Sequence, residues 1–232
     1  KTSKATRVAV VDAITAAATT LGSGDIFLLT YAGHGAQMPD ADGDEDDMVD
    51  ETWCLFDGEL LDDELNVLWS KFKRGVRILV ISDSCHSGSV TRNVSSGGDD
   101  LAQQDALFAQ ELSARGEKAR LMPRDVATAT LIKNQDFYNA LQLALPNPRP
   151  QILASVRLLS GCQDNQISIE KDGQGVFTYT LKKIWDKGRF SGNYHEFHQA
   201  IIAKMKKKQQ PNHLLLGTAS SDYNQQTPFT ID

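Results

Sequence analysis

Two short segments of the chain carry the residue types that nucleophilic attack on a carbonyl requires. One reads Ala32-Gly33-His34-Gly35, the other Asp83-Ser84-Cys85-His86-Ser87-Gly88. A cysteine becomes a nucleophile when a base or an electropositive neighbour favours its thiolate, and an imidazole supplies either. The glycines on both sides let backbone come close to a bound chain and free N–H groups for a developing oxyanion. His34 and Cys85 are therefore the candidate pair. His86 competes as the base because it adjoins Cys85, although adjacent residues leaving a strand point apart. Cys162, which also follows an apolar run, competes as the nucleophile. Against all of these stands the ordinary role of a surface histidine and of a cysteine as a small buried apolar residue.

The elements that would bring His34 and Cys85 together are two apolar runs. Ile26–Tyr31 and Val76–Ser82 read as strands buried on both faces, and each runs directly into one of the two loops. In an open parallel sheet, ligands bind beyond the carboxyl ends of the strands, so both loops would open on one edge. Around these strands the pattern alternates helix and strand, the mark of an α/β sheet flanked by helices. Val8, Val11, Ile14 and Ala18 predict a helix over 6–21 that stops at Gly22. Asp57-Gly58 predicts a hairpin turn between 53–56 and 59–61, and Asp62 is the expected N-cap of a helix running to about Phe72.

Residues 89–123 are polar and Arg-dotted, with a Ser95-Ser-Gly-Gly98 run, and are expected to form a long flexible insert. Beyond it the pattern predicts a helix over 125–145, halted by Pro146, Pro148 and Pro150. A strand over 152–159, helices over 176–187 and 194–208, and a final strand ending near Phe229 and Ile231 follow. One domain over 1–232 accommodates all of this.

Composition narrows the class. Hydrophobic residues are 41% and charged residues 23% of 232, an ordinary globular balance. The net charge of −6 is local: eight of the twelve residues from Asp40 to Glu51 are acidic, and the remainder of the chain sums to −6 + 8 = +2. No nucleic-acid footprint and no membrane span are expected, and the Lys204–Lys208 cluster reads as a solvated helix face. Cys54, Cys85 and Cys162 have no metal spacing and do not make a disulfide framework, which points to a reducing, cytoplasmic setting.

Several motifs in order resemble the metacaspases, in the caspase-like clan of cysteine peptidases. They are Tyr31-Ala-Gly-His-Gly35, Pro39-Asp-Ala-Asp-Gly-Asp-Glu45 with Asp50-Glu51, and Asp83-Ser-Cys-His-Ser-Gly88. Leu159-Ser-Gly-Cys-Gln-Asp-Asn-Gln166, Gly175-Val-Phe-Thr178 and Gln226-Thr-Pro-Phe229 complete the series. The resemblance implies a caspase-like three-layer sandwich with a mostly parallel sheet. It further implies an endopeptidase in which Cys85 attacks, His34 moves the proton, and the N–H groups of Gly35 and Cys85 form the oxyanion hole.

By the same resemblance Asp83 lines the specificity pocket, with Asp164 sharing it and Ala32 standing where the family commonly has a serine. An ionised carboxylate there selects Arg or Lys before the scissile bond. The alternative for Asp83 is a carboxylate bonded to local backbone N–H groups. The family's first strand and an acidic pocket residue are not matched in this chain, so a separate N-terminal fragment is an expected partner. A catalytically silent regulatory or adaptor module is the other function this pattern allows.

The chemistry itself needs no cofactor. Metacaspases are commonly calcium-activated, and Asp50, Asp62 and Asp63 match the acidic ligands. Arg92 stands where a further aspartate is expected, which weakens the site. Asp40, Asp42, Asp44 and Glu51 imitate an EF-hand loop, but its glycine falls at the wrong position. Arg92, Arg115, Lys118, Arg120 and Arg124 punctuate the insert and are candidate self-cleavage sites for an enzyme that cuts after basic residues.

Overall fold

Thr6 starts the first helix, α1 (Arg7–Thr20), by accepting the Ala9 N–H on its hydroxyl, and Ile14 and Ala18 form its buried stripe. The computed structural model describes residues 2–41, 43, 48–84, 98–120, 122–163, 166–205 and 209–231. After α1 come β1 (Ile26–Ala32), β2 (Gly35–Pro39), β3 (Val49–Cys54) and β4 (Glu59–Leu61). Helix α2 (Asp62–Ser70) opens with Asp62, Asp63 and Glu64, which suit the positive end of its dipole. The chain continues through β5 (Arg77–Asp83), α3 (Gly98–Ser113), β6 (Glu117–Ala119), α4 (Arg124–Ala144) and β7 (Ser155–Ser160). It ends with β8 (Ile169–Lys171), β9 (Gln174–Gly175), α5 (Val176–Trp185), α6 (Tyr194–Lys204), β10 (Asn212–Gly217) and α7 (Ser221–Gln225).

The main sheet has the order β1-β5-β7-β10, with β1, β5 and β7 parallel and β10 antiparallel to β7. Parallel neighbours need crossovers, and the crossover helices cover the faces. Strand β5 shows this by alternation. Ile78 and Val80 pack with Ile14, Trp53, Leu68 and Trp69 on one side. Leu79 and Ile81 pack with Phe177, Leu181, Phe197 and Ile201 on the other. The result is the α/β caspase-like sandwich expected from the motifs. Two small antiparallel sheets, β2-β3-β4 and β6-β8-β9, stand beside it.

Several local expectations are corrected. Strand β1 is buried on one side only: Phe27, Leu29 and Tyr31 join the core, while Leu28, Thr30 and Ala32 are exposed at the rim of an apolar cavity of about 450 Å³. The last strand is β10 at 212–217, and Phe229 packs as a ring against Trp185 and Phe197. Helix α1 is ended by Leu21 in an extended conformation, one residue before Gly22, and α2 takes Leu61 as its N-cap with Asp62 already helical. The stretch read as a flexible insert carries α3 and β6, and its residues 89–97 and 121 lie outside the described residues. Among the described residues no helix is long and apolar enough to cross a membrane.

Candidate active site

Strands β1 and β5 pair so that Ala32 lies opposite Asp83. His34 follows Ala32 by two residues and Cys85 follows Asp83 by two, so both loops leave the same edge of the sheet. Cys85, His86, Arg92 and Asp164 themselves lie outside the described residues. The His34 loop is held by its backbone. Its carbonyl accepts the Cys54 N–H at 3.0 Å, and the Tyr31 hydroxyl reaches both the His34 and Cys54 carbonyls. The Tyr31 ring in turn stacks on Trp53 with centroids 4.6 Å apart. A Cβ on Gly33 would stand 2.5 Å from the Tyr31 oxygen, so glycine is what lets this clamp close. The His34 side chain is exposed, and Gly35 is buried at the start of β2.

Asp83 is wholly buried and its carboxylate is held from two elements. Oδ1 accepts from the Ser168 hydroxyl at 2.8 Å, and Oδ2 accepts from the Thr178 N–H at 3.0 Å and from the Thr178 hydroxyl. Thr178 is the third residue of α5, whose N-cap, Gly175, has no side chain to offer. Asp83 therefore caps α5 from another strand, and the helix dipole favours its charge. Gly175 is required for this: a Cβ there would lie 1.9 Å from Asp83 Oδ2. The backbone N–H that Asp83 accepts is thus not a local one, as the alternative had it, but comes from Thr178, 95 positions away. A carboxylate offers about four acceptor positions, so room for a cation remains.

A cation is in fact beside it. Arg120 Nε lies 4.0 Å from Asp83 Oδ1, its Nη1 donates to the Asp83 carbonyl at 3.0 Å, and its Nη2 lies 3.2 Å from Glu170. Arg120 is only 8% exposed, unlike the other proposed cut sites that are described. Arg115 is exposed and paired with Glu111, and Lys118 is exposed on β6. Arg124 opens α4, and its side chain lies outside the description.

The other cysteines are poor nucleophiles. Cys162 is 2% exposed and its thiol donates to the Ser84 carbonyl at 3.4 Å, so it packs beneath the strand end that leads to Cys85. Burial, with the Glu59 carboxylate second, pushes the Cys54 thiol well above its ordinary range.

Asp50, Asp62 and Asp63 converge as the sequence suggested, each offering an oxygen within 4.8 Å of the others. Asp50 and Asp63 are buried. Gln142 donates to Asp50 at 2.6 Å and Arg149 meets Asp63 at 2.5 Å. Hard carboxylate oxygens brought together from β3 and α2 are the donor set that Ca²⁺ takes, so the residues fit that ion. Asp42, Asp44 and Glu45 of the acidic loop lie outside the described residues.

The description "Metacaspase, peptidase C14 domain" matches residues 1–93 of this chain. Metacaspase-1A of Aspergillus terreus is 31% identical over 170 residues, covering 66% of this chain and 41% of that protein. Metacaspase-1 of Schizosaccharomyces pombe is 33% identical over 172 residues, covering 68% and 40%. These matches support a metacaspase-like or caspase-like protein. A solved structure, protein GSU0716 from Geobacter sulfurreducens, superposes with a TM-score of 0.79 at 44% identity, over 98% of this chain and 79% of that chain. The chain spans about two fifths of the length of the curated relatives it matches.

The described residues show how the surroundings of Asp83 are built. Ser168 and Thr178 hold the Asp83 carboxylate and Glu170 meets Arg120, and of the three only Thr178 falls in a motif quoted above. Thr178 was legible in principle, because a helix start with glycine at its N-cap must find a capping group elsewhere. Ser168 and Glu170 carry no sequence signal, since only the fold brings Ser168 to Asp83 and Glu170 to Arg120.

Proposed function

We propose that this chain is an endopeptidase that cleaves after Arg or Lys, and that it also processes itself within residues 92–124. What supports this is the pairing of Ala32 with Asp83, which ends the strands before His34 and before Cys85 at one edge of the sheet, next to the buried Asp83 carboxylate. A substrate Arg or Lys enters toward Asp83 and Glu170, where a charge-assisted hydrogen bond in a water-poor pocket selects the cation. The Cys85 thiolate attacks the carbonyl carbon, and the N–H groups of Gly35 and Cys85 hold the oxyanion. His34 protonates the leaving amine, and water then hydrolyses the thioester. Asp164 shares the pocket with Asp83. The setting is a reducing, cytoplasmic one in which the thiols persist.

Calcium activation is the second part of the proposal. Asp50, Asp62 and Asp63 would hold the ion, which supplies charge neutralisation between β3 and α2 and takes no part in bond breaking.

Hydrolysis of fluorogenic peptides with Arg, Lys or Asp before the scissile bond tests both parts, with Cys85→Ala and His34→Ala as controls. Activity on Arg and Lys alone, lost by at least about a hundredfold in either control, is the expected result. Cleavage after Asp would sink the pocket assignment, and silence from folded protein would favour the regulatory module. Repeating the assay with added Ca²⁺ and with Asp63→Asn should show stimulation in the parent and none in the variant. Equal stimulation of both would place the ion elsewhere.

A further inference from the structure

Strand pairing leaves one main-chain donor of the His34 loop over. In the β2–β3 ladder Gly35 stands opposite Trp53, and Ala36 opposite Thr52. Antiparallel partners alternate between pairs that exchange hydrogen bonds and pairs that do not. The Cys54 N–H donates to the His34 carbonyl at 3.0 Å, and the Asp40 N–H to the Met48 carbonyl at 3.1 Å. The bonded pairs are therefore those at the even-numbered residues, and the Gly35 N–H turns away from β3. Strand β2 is the edge of its sheet, so among the described residues no further strand receives that N–H. Gly35 is buried all the same. A buried N–H without an acceptor is uncommon in folded proteins, and a catalytic task is one reason for it.

The same peptide unit is pinned at its oxygen. The His34 carbonyl takes the Tyr31 hydroxyl at 2.6 Å as well as the Cys54 N–H, so both of its lone pairs are used. The Cys54 carbonyl, at 2.9 Å, is the farther of the two acceptors that Tyr31 reaches. In a planar trans peptide the C=O and the N–H that follows it point in opposite directions. Holding the oxygen of the 34–35 peptide therefore fixes the direction of the Gly35 N–H. A carbonyl that accepts two hydrogen bonds is also more polarised, which strengthens its own amide as a donor. Tyr31 is itself held, because its ring stacks on Trp53 with the planes 10° apart. Burial, with Cys54 second, pushes the Tyr31 hydroxyl pKa up, so it stays a donor.

We propose that Tyr31 is a positioning residue for the oxyanion: through the His34 carbonyl, its hydroxyl orients and polarises the Gly35 N–H that meets the developing negative charge. The charge comes from the peptidase reading, on which this rests, while the hydrogen bonds that carry the effect are all between described residues. Tyr31 touches no reacting atom. It keeps one donor aimed where the substrate oxygen becomes charged, which is where a preorganised donor acts on the rate.

Tyr31→Phe keeps the stacked ring and removes only the hydroxyl. With an Arg peptide, kcat should fall about tenfold and KM stay within about twofold, less than the loss of a whole donor because the N–H is loosened and not removed. Both limbs of the pH profile should stay in place, since Tyr31 moves no proton. Gly33→Ala brings a methyl to 2.5 Å from the Tyr31 oxygen and opens the same clamp from its other side. The double variant should be no slower than the slower single one, because both changes remove one interaction. A purely structural role would lower the urea midpoint and leave kcat per folded molecule unchanged. NMR reads the peptide unit without any substrate. In Tyr31→Phe the His34 carbonyl carbon and the Gly35 amide nitrogen should both move upfield, and the Gly35 order parameter should drop from about 0.85 to about 0.6. Unmoved resonances, an unchanged kcat, a lost pH limb or additive losses would each overturn the inference and leave the peptidase reading standing. If the resonances move as expected while neither parent nor variant hydrolyses an Arg peptide, the peptidase reading fails and the coupling of Tyr31 to Gly35 stands.

Discussion

Asp83 shows how one side chain serves fold and site together. Its carboxylate caps α5 through Thr178, takes the Ser168 hydroxyl, and faces the Arg120 guanidinium. Gly175 makes the approach possible, so Gly175→Ala is the sharpest test of the arrangement. The added methyl has to displace a held carboxylate, combining overpacking with loss of a helix cap, about 2–3 kcal/mol. Urea unfolding should show this as a lower midpoint, and hydrolysis of Arg peptides should fall with it. An unchanged midpoint would mean that Asp83 is not held as described. Thiol reactivity follows the same local logic. Iodoacetamide at neutral pH should label Cys85 well before Cys54, whose thiol is suppressed by burial and by Glu59, and before Cys162, which is shielded. Labelling of Cys162 first would revive it as the nucleophile.

Between elements, Arg7 is a tie outside the main sheet. It forms a bidentate pair with Glu64, 2.7 and 2.9 Å, and donates to the Glu59 carbonyl, while its guanidinium lies 5.5 Å from the Phe137 ring centre. This one residue joins α1, the β3–β4 hairpin, α2 and α4. Glu64 also accepts the Leu61 N–H at the start of α2, so removing Arg7 strands a mostly buried carboxylate that the helix start depends on. Arg7→Ala should cost about 2–4 kcal/mol, read as a fall in the urea midpoint. Arg7→Lys should recover only part of it, because an ammonium cannot form the bidentate fork. If Arg7→Ala proved neutral, the α1–α2 packing would be carried by Ile14 and Ala18 alone.

At the scale of the whole molecule, the far end of the sheet holds a buried cation that has aromatic partners. Arg157 on β7 is 2% exposed, with the Tyr194 and Tyr223 rings 4.5 and 4.8 Å from its guanidinium carbon, and its Nη2 donates to Asn224. It also donates to His213 Nε2, which must then be the unprotonated nitrogen. Burial first, then the Arg157 charge, then His198 and His195, push the His213 pKa down from 6.5 to about 4. A depressed pKa means that the unfolded chain binds the proton more readily. The contribution of His213 is therefore full above about pH 6.5 and is lost as pH falls toward 4. The urea midpoint should fall across that window, and His213→Gln should flatten part of the slope. Equal slopes in both proteins would show that other groups account for acid sensitivity.

The amino-acid sequence by itself determined the class, the two strand-to-loop junctions and the residue types at each, because hydrophobic runs and glycine-flanked polar residues are local patterns. His34 and Cys85 were picked out as candidates in this way, Asp83 and the Asp50, Asp62 and Asp63 set through the resemblance of the motifs, and α1, α4, α5 and α6 were legible in outline. Strand β10 was missed because Asn212-His-Leu-Leu-Leu-Gly217 is short and antiparallel, and its partner lies over fifty residues away. The half-exposed state of β1 was missed because an apolar run does not tell which face is covered. Only the tertiary structure decided that Asp83 caps α5, that Ser168 bonds to Asp83 and Glu170 meets Arg120, and that Arg120 is an inward-facing cation rather than one of several basic residues in a polar insert. Each of these depends on pairing between segments distant in sequence. A periodicity records the burial of a residue but not the identity of what buries it.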